Sequence, residues 1–547
     1  MEKLEKLITR YWFFIILIFF IPAVWALFVK GYFGASDDLH VAWLYELDRA
    51  IKLGQIPPRF VPDLSFGFGY PLFNFVFPLP FYIGEIFHLL GLTLVDSVKA
   101  VLFVSIPISG IFMYLLLREF TKSRFAFVGA MLYIYAPYRA VDIYVRGAIG
   151  EALSFIFLPL VILAIVKLKS SKHWKWAGLG AISVASLVLS HNIAAYMFFP
   201  FVIVFFFLQF FSTAAWKAFF LRLFLMFFLG FLISIYFWLP ALLESSLLKY
   251  DTVFNFFDHF PTVRQLVTPY WGYGGSVPGP GDGMSFFLGG ANLLVFVTAG
   301  LLLIFKWKVI NRQNKLLMIW VISALATAIF LMNYRSTFVW NNLPLLPYFQ
   351  FPWRFLILVT FFIPLLVVIF EKFKYEKALL LLIMAFIIFP TWTFFRPEDF
   401  LGREDGYYLN RYIPIPSASS EYLKTQEEYL RLPKATEIRP DKNFPLLFPE
   451  NGIRRVDKIN DLKVAFEFVS DKGELINLNK YYFPGWQARI DGKSVEIFAG
   501  KPFGQVSIFV PAGSHKAEVY FQETSFRKFL NFASLGAFLV SLMMLLI

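Results

Sequence analysis

The chain has 547 residues, 58% of them hydrophobic and 20% aromatic, with only 16% charged and a net charge of +13. Ordinary globular chains are about 45–50% apolar and 25% charged, so a soluble multidomain protein, a disordered chain, a collagen and a coiled coil are excluded and a polytopic α-helical membrane protein is left. The excess of Lys and Arg then belongs to cytoplasmic loops and not to nucleic-acid binding, and a chain without Cys has no disulfide, thiolate nucleophile or Cys-metal site.

After MEKLEKLITR comes a run of about nineteen uncharged, mostly apolar residues from Tyr11 to Val29, long enough to cross a bilayer. No small-residue cleavage site follows, so it reads as an anchor and not a removed signal peptide. Further spans are expected near 98–117, 124–138, 148–168, 174–190, 193–211, 219–241, 286–305, 315–333, 353–370, 377–395 and 527–547, about twelve in all. The stretch 70–91 (YPLFNFVFPLPFYIGEIFHLLG) is apolar, yet it carries three prolines together with Asn74, Glu85 and His88. If it spanned, every later loop would change sides.

Charge decides between the two topologies. With a cytoplasmic N-terminus and 70–91 re-entrant or juxtamembrane, the inner loops hold Arg10, Arg118, Lys122, Arg124, Lys167, Lys169, Lys172, Lys175 and a further series out to Lys377. The outer loops hold few cations, which is the placement that membrane insertion favours. Three larger pieces then fall outside: a first loop with juxtamembrane helices at 30–96, a Gly/Pro-rich loop at 244–285 (WGYGGSVPGPGDG), and a mostly β domain at 396–526. In that domain LKVAFEFVS, ELINLNKYYF, WQARI, KSVEIFA, QVSIFV and HKAEVYFQ alternate apolar and polar residues. Turn signals at Asp471-Lys472-Gly473, Asp491-Gly492 and Pro511-Ala512-Gly513-Ser514 separate them, so an antiparallel β-sandwich is expected, followed by a final membrane helix at 527–547.

An ionisable group in lipid is costly, so its position is informative. The expected spans are almost free of acids; these gather at the outer boundary instead. Asp37 and Asp38 follow the first span in SDDLH with His40, Asp63 sits in the first loop, and Asp142 and Glu151 bracket the outer turn YRAVDIYVRGAIGE with Arg139 and Arg146. Ser36-Asp37-Asp38 also suits a helix N-cap with first-turn acids, and Glu151 suits the N-terminal dipole of its span. Ser190-His191-Asn192 forms another outer turn, where a lone His is more often a structural hydrogen-bonder than a base. There is no P-loop, GxSxG, HExxH or dinucleotide fingerprint, so no nucleotide cofactor is expected.

In combination, DDLHVAWLYELDRAIKLGQIPPRFVPDLSFGFGYPLFNFVFPLPFY, YRAVDIYVRGAIGEALSFIFLPL, LSHN and LPYFQFPWRFL resemble the GT-C superfamily of membrane glycosyltransferases. They are similar above all to a bacterial group labelled as 6-pyruvoyl-tetrahydropterin synthase-related and to the neighbouring YfhO-like membrane proteins. YYFPGWQARIDGKSVEI and VPAGSHKAEVYFQET resemble the YfhO-like outer domain. The pterin label does not carry over, because that chemistry needs clustered histidines and six are scattered here.

The resemblance implies a cell-membrane transferase that takes a sugar from a polyprenyl-phosphate donor to an extracytoplasmic glycan, lipid or protein acceptor, with inversion. Such a reaction needs a carboxylate at the acceptor hydroxyl and a cation at the leaving phosphate. Carried over by position, Asp37 or Asp38 is the base, Asp142 or Glu151 orients the acceptor or holds a metal, and Arg146 meets the phosphate with Arg59, Arg139 and Arg354 behind it. His40, His191 and Asn192 join the substrate-binding set. Relatives differ in metal use, so Mg or Mn on Asp38 and Glu151, or no cation at all, both fit. Two other classes stay open: a non-catalytic scaffold or glycan-binding protein, which expects these groups dispersed and paired locally, and a lipid or polymer transporter, which expects a polar path between the leaflets.

Overall fold

A computed structural model describes every residue except 1, 172, 214, 250–254, 415–417 and 426; the side chains of 2–4 and 392 also lie outside it. Lys172, one of the expected inner-loop cations, is therefore outside the described residues, as are parts of the 244–285 and 396–526 segments. Among the described residues nine helices are long and apolar enough to cross a membrane: Glu5–Phe28, Leu94–Arg118, Ile149–Ser170, Asn192–Phe210, Trp216–Ile233, Gly290–Val309, Arg312–Met332, Pro352–Lys372 and Ser525–Leu545. The chain is a multi-pass membrane protein with a C-terminal β-sheet domain.

Three of the expected spans are shorter helices, Ser123–Ile134, Lys175–Ser190 and Glu376–Ile388. Twelve helical residues rise only about 18 Å, against a hydrocarbon core of about 30 Å. Proline shortens the first of them: Ala136, preceding Pro137, takes extended backbone at φ −58°, ψ 132°. The 70–91 stretch contains two short helices, Leu72–Phe75 and Leu79–Leu89, and no element long enough to span.

Burial sorts the helices into layers. Pro352–Lys372 is wholly enclosed and Ile149–Ser170 nearly so, whereas Ser525–Leu545 is mostly exposed along its sides. Helix N-termini are capped by acids from distant segments, which satisfies their orphan N–H groups and suits the dipole. Glu5 accepts from the N–H groups of Ser123 and Arg124 (2.7 and 3.2 Å), and Glu371 from Lys122 (2.8 Å). At the other end of the bundle Asp405 accepts from Leu94 and Val95 (2.9 Å each).

The C-terminal domain begins with two helices, Asp405–Tyr412 and Ser420–Thr425, ahead of its first strand. Nine strands follow: β1 Leu447–Phe448, β2 Ile453–Asn460, β3 Lys463–Ser470, β4 Glu474–Tyr481, β5 Trp486–Ile490, β6 Lys493–Val495, β7 Phe498–Gly500, β8 Gln505–Val510 and β9 Gly513–Phe521. They pair antiparallel in two sheets, ordered β1-β4-β8-β7 and β2-β3-β9-β5-β6. The run KSVEIFA is divided between the sheets as β6 and β7, and β2 (IRRVDKIN) adds an edge strand whose polar pattern carries no period-2 signal.

One apolar core fills the space between the sheets, and it includes Phe60 and Phe68 from the loop that follows the first long helix. The loop is sewn in by backbone as well: Tyr481 N–H donates to Phe68 O (2.8 Å), and the Lys480 ammonium donates to Pro62 O (3.2 Å) and Gly67 O (2.6 Å). Arg527, fully buried at the start of the last helix, grips both Glu244 oxygens (2.8 Å each) and Pro484 O (2.9 Å), joining that helix, the 235–244 helix and the sandwich. Phe68→Ala should cost about 3–5 kcal/mol by emptying a core position. Thermal unfolding followed by the far-ultraviolet β signal checks this.

Candidate functional site

Five separate segments end at the same end of the bundle: the loop after the first span, the turn between Ser123–Ile134 and Ile149–Ser170, the start of Ile149–Ser170, the turn at His191, and the start of Pro352–Lys372. The second of these is a π-helical turn, Val141–Arg146, closed by Gly147 at φ 68° and by the Ala148 N–H on Asp142 O (2.8 Å). A Cβ on Gly147 would lie 2.9 Å from Tyr32 Oη and 3.0 Å from Ala35 Cβ, so only glycine lets the first loop approach here. That loop then hydrogen-bonds to the turn, Ser36 N–H to Val145 O (3.1 Å) and Asp37 N–H to Arg146 O (2.7 Å).

Arg146 is the centre of the cluster. Its Nη1 donates to Asp142 Oδ1 (2.7 Å), Glu151 Oε2 (2.8 Å) and, more weakly, Tyr138 Oη (3.4 Å). The Tyr138 hydroxyl donates in turn to Glu151. Nη2 faces Asp37 Oδ2 at 3.9 Å, and the guanidinium lies 5.1 Å from the Trp353 ring centroid. Asp142 and Glu151 have no exposed side-chain surface, whereas Asp37 is 36% exposed. Asp37 is thus the one carboxylate of the cluster that an incoming molecule reaches.

The opposite wall is aromatic. Trp353 stacks between Phe351 (5.1 Å) and Phe286 (5.9 Å), and its buried Nε1–H has no partner among the described residues. Arg354 donates from Nη1 to Phe349 O (3.1 Å) and Gln350 Oε1 (2.5 Å), while its buried Nε–H is unpaired among the described residues. Arg354 acts electrostatically on Arg146, Glu151 and Asp37. Gln350 holds φ 69°, ψ −52°, which for a side-chain-bearing residue costs about 1–3 kcal/mol. The strain is located where Gln350 orients Arg354.

His40 adds a directional group. Its Nδ1 is 3.1 Å from Gly147 O. A carbonyl only accepts, so the proton sits on Nδ1 and the neutral ring presents Nε2 as an acceptor. Burial lowers its pKa, which keeps the ring neutral at physiological pH.

The other expected residues lie elsewhere. Asp38 turns away from Asp37, is 7% exposed and accepts from the Tyr412 hydroxyl of the C-terminal domain; burial raises its pKa. Arg139 is fully buried against Phe155 (4.2 Å to the ring) and donates to Ser105 O and Ser109 Oγ inside the bundle. Arg59 clamps Glu523, Asn531 and Tyr236 O near the last helix. His191 caps the Asn192–Phe210 helix, its Nδ1 accepting from Ala194 N–H (3.1 Å), and still acts electrostatically on Glu151; Asn192 is exposed. Tyr138, Gln350 and Trp353 were not singled out in the sequence. Tyr138 lies four residues before Asp142, as Arg146 lies four after it, and that spacing is the signal that could have found it.

The acids do not fit a divalent cation. Asp38 and Glu151 serve different hydroxyls, and the Arg146 guanidinium already stands between Asp142 and Glu151, where a bridging Mg or Mn would bind. Among the described residues no group of three His, Cys, Asp or Glu side chains is placed to hold a metal ion.

The chain is similar to two solved transferases. One is the arabinofuranosyltransferase AftD from Mycobacteria, 15% identical, with 73% of this chain and 28% of that one covered and a TM-score of 0.47. The other is the archaeal oligosaccharyltransferase AglB from Archaeoglobus fulgidus, 14% identical, with 73% and 56% covered and a TM-score of 0.40. Over 200 residues, 35% of the chain, it is 26% identical to an uncharacterized protein of Lactococcus lactis subsp. cremoris (strain MG1363), of which 33% is covered. The match thus spans about a third of that relative's length and well under two thirds of either solved chain. No family model matches.

Breaking a buried ion pair is costlier than breaking a half-exposed one. Glu151→Gln should lower the unfolding free energy in detergent by about 3–5 kcal/mol, while Asp37→Asn should change it by less than about 1 kcal/mol. Denaturant titration of both variants beside the parent checks the split.

Proposed function

We propose that the chain is an integral membrane glycosyltransferase that moves a sugar from a polyprenyl-phosphate donor to an acceptor hydroxyl on the extracytoplasmic face, with inversion. Residues 1–395 form the transferase core, 396–526 an outer domain and 527–547 an anchor, with the N-terminus in the cytoplasm. The observation that carries this reading is the convergence, at one end of the helices, of a reachable carboxylate on Asp37, a neutral imidazole acceptor on His40 and an unpaired buried N–H on Arg354. The finer kinship with the YfhO-like and pterin-synthase-labelled group rests on the sequence segments alone.

The chemistry follows from the roles of these groups. The acceptor oxygen attacks the anomeric carbon as its proton passes to the Asp37 carboxylate. The bond from that carbon to the phosphate oxygen breaks, and its electron pair leaves with the polyprenyl phosphate. Charge growing on the phosphate is met by the Arg354 guanidinium rather than by Arg146, whose Nη1 is taken. Arg146 instead holds Asp37 in place from a frame of Asp142, Glu151 and Tyr138. His40 Nε2 accepts from a substrate hydroxyl. The acceptor is a glycan, lipid or protein of the cell envelope, and membrane lipids surround the helices.

The test uses the purified protein in lipid nanodiscs with a panel of polyprenyl-phosphate sugars, scoring release of the lipid phosphate. Asp37→Asn should lower kcat by at least about 100-fold, and Arg354→Gln by about 100-fold. Asp38→Asn keeps its Tyr412 hydrogen bond and should stay close to the parent rate. An Asp37→Asn protein that works at the parent rate rules out the assigned base.

A pH profile gives a second check. Burial sets the His40 pKa below the ordinary value of 6.5, so the acid limb of kcat/KM from this residue should lie below pH 6.5 and vanish in His40→Gln. The stability effect has the same sign. As pH falls below 6.5 the unfolded chain takes up the proton first, so folding weakens.

A further inference from the structure

The helices Gly290–Val309 and Arg312–Met332 follow one another through a short turn, yet they pack little on each other; each rests instead on the last part of Pro352–Lys372. The space between them is a groove of about 950 Å³. Leu366 lies between its walls, with Gly300, Ile304 and Trp307 on one side and Ala326 and Phe330 on the other. The lining is apolar except for Asn333 and Arg335, far from Trp307. Glycine inside a helix is a weak choice, and no close approach demands it at 300: nothing lies within 4 Å of where its Cβ would stand. What Gly300 leaves is open space in the groove.

Charge collects at the Trp307 end. The turn KWKVINRQNK carries Lys306, Lys308, Arg312 and Lys315 and no acid, and the Lys315 ammonium lies 5.9 Å from the Trp307 ring centroid. None of the four ion-pairs with a carboxylate among the described residues. Cations are usual in loops on the cytoplasmic side, but others at this end are engaged. Arg124 is held by Glu5 and Glu376, Lys167 by Glu119, and Lys169 by Gln209 and Ser212. The 306–315 turn alone gathers so many uncompensated cations beside a groove. It lies opposite the Arg146 cluster: Gly290–Val309 starts just after Phe286, which stacks on Trp353, and its 20 residues rise about 30 Å before the turn. There Asn314 donates to Phe120 O (3.3 Å), close to Lys122 and Glu371.

An apolar groove within the bilayer receives hydrocarbon, and the cations at its end determine what that hydrocarbon is attached to. We propose that the groove holds an anionic diacyl phospholipid, with its acyl chains between the two helices and its phosphate at Lys308, Arg312 and Lys315. The volume is near the upper end of ligand pockets, about 300–1,000 Å³, which suits two chains. Trp307 stands at headgroup level, where amphipathic rings collect. On the topology proposed above, this is a lipid of the cytoplasmic leaflet, the one rich in anionic headgroups. A polyprenyl-phosphate donor would instead place its phosphate at the opposite end, where Arg335 is the one described cation that lines the groove. The site is therefore separate from the transferase centre and stands whether or not that reading holds.

The test uses the full-length protein in detergent, stripped of lipid and titrated with phosphatidylglycerol, phosphatidylcholine or polyprenyl phosphate. Native mass spectrometry counts the bound lipid, and the thermal midpoint reports its effect on the fold. Phosphatidylglycerol should bind and raise the midpoint, because it binds the folded chain; phosphatidylcholine should do so much less. Lys308→Gln and Arg312→Gln should each weaken phosphatidylglycerol binding by about fivefold, and with Lys315→Gln added by about a hundredfold. Gly300→Leu should fill the groove and weaken binding while the lipid-free midpoint stays at or above the parent's. Equal binding of the two phospholipids, or phosphatidylglycerol binding untouched in the triple variant, overturns the proposal. So does polyprenyl phosphate that displaces phosphatidylglycerol and is lost in Arg335→Gln but kept in the triple variant, because the groove then belongs to the donor. No readout depends on sugar transfer, so failure of the transferase reading leaves the result intact.

Discussion

A guanidinium buried at the end of a helix bundle must be matched by carboxylates, because an unpaired buried charge costs several kcal/mol. Arg146 meets that constraint with Asp142 and Glu151 on either side of the turn that carries it, and most of the surrounding geometry follows. The wider π-helical turn sets Asp142 and Arg146 on one side, Gly147 ends it, and the first loop docks on the exposed backbone edge. Two acids are sealed against Arg146, and the third, Asp37, is held at 3.9 Å and stays reachable. Sealed and open carboxylates around one cation divide the cluster into a buried frame and one reachable group.

Much of this was legible in the sequence because lipid leaves so little freedom. Acids confined to one boundary, in SDDLH and YRAVDIYVRGAIGE, could only gather at one end of the spans, and Asp37, Asp142, Glu151 and Arg146 do so. The strands announced themselves by alternation and by turns such as Asp491-Gly492, where both residues take positive φ. Helix length was read less well. Hydropathy runs continue through Pro137 and through the junction of Ile233 with Ile235–Glu244, where backbone geometry ends the helix although the composition does not change.

What the sequence hid was side-chain direction. Asp37 and Asp38 are adjacent and chemically alike, yet one faces Arg146 and the other the Tyr412 hydroxyl some 370 positions away in the chain. Arg139 and Arg146 share a turn, but seven residues through an irregular helix send one into the bundle against Phe155 and the other into the cluster. Trp353 and Gln350 gain their importance from stacking and from backbone strain, neither of which leaves a local pattern.

The loop after the first long helix is what unites the two halves. Its start, from Asp37 to His40, is bonded to the π-helical turn of the helical half. Its middle carries Arg49, which pairs with Asp63 and with Asp461 of the sandwich, and Glu46, fully buried with its pKa raised by burial. Its later part sends Phe60 and Phe68 into the sandwich core and offers two carbonyls to Lys480, whose pKa burial lowers to about 8. A neutral acid and a weakened base are tolerated at this seam only while both halves enclose them. The sandwich is therefore not an appendage: it completes the enclosure of the segment that carries Asp37, and so helps to fix the one carboxylate that the cluster leaves open.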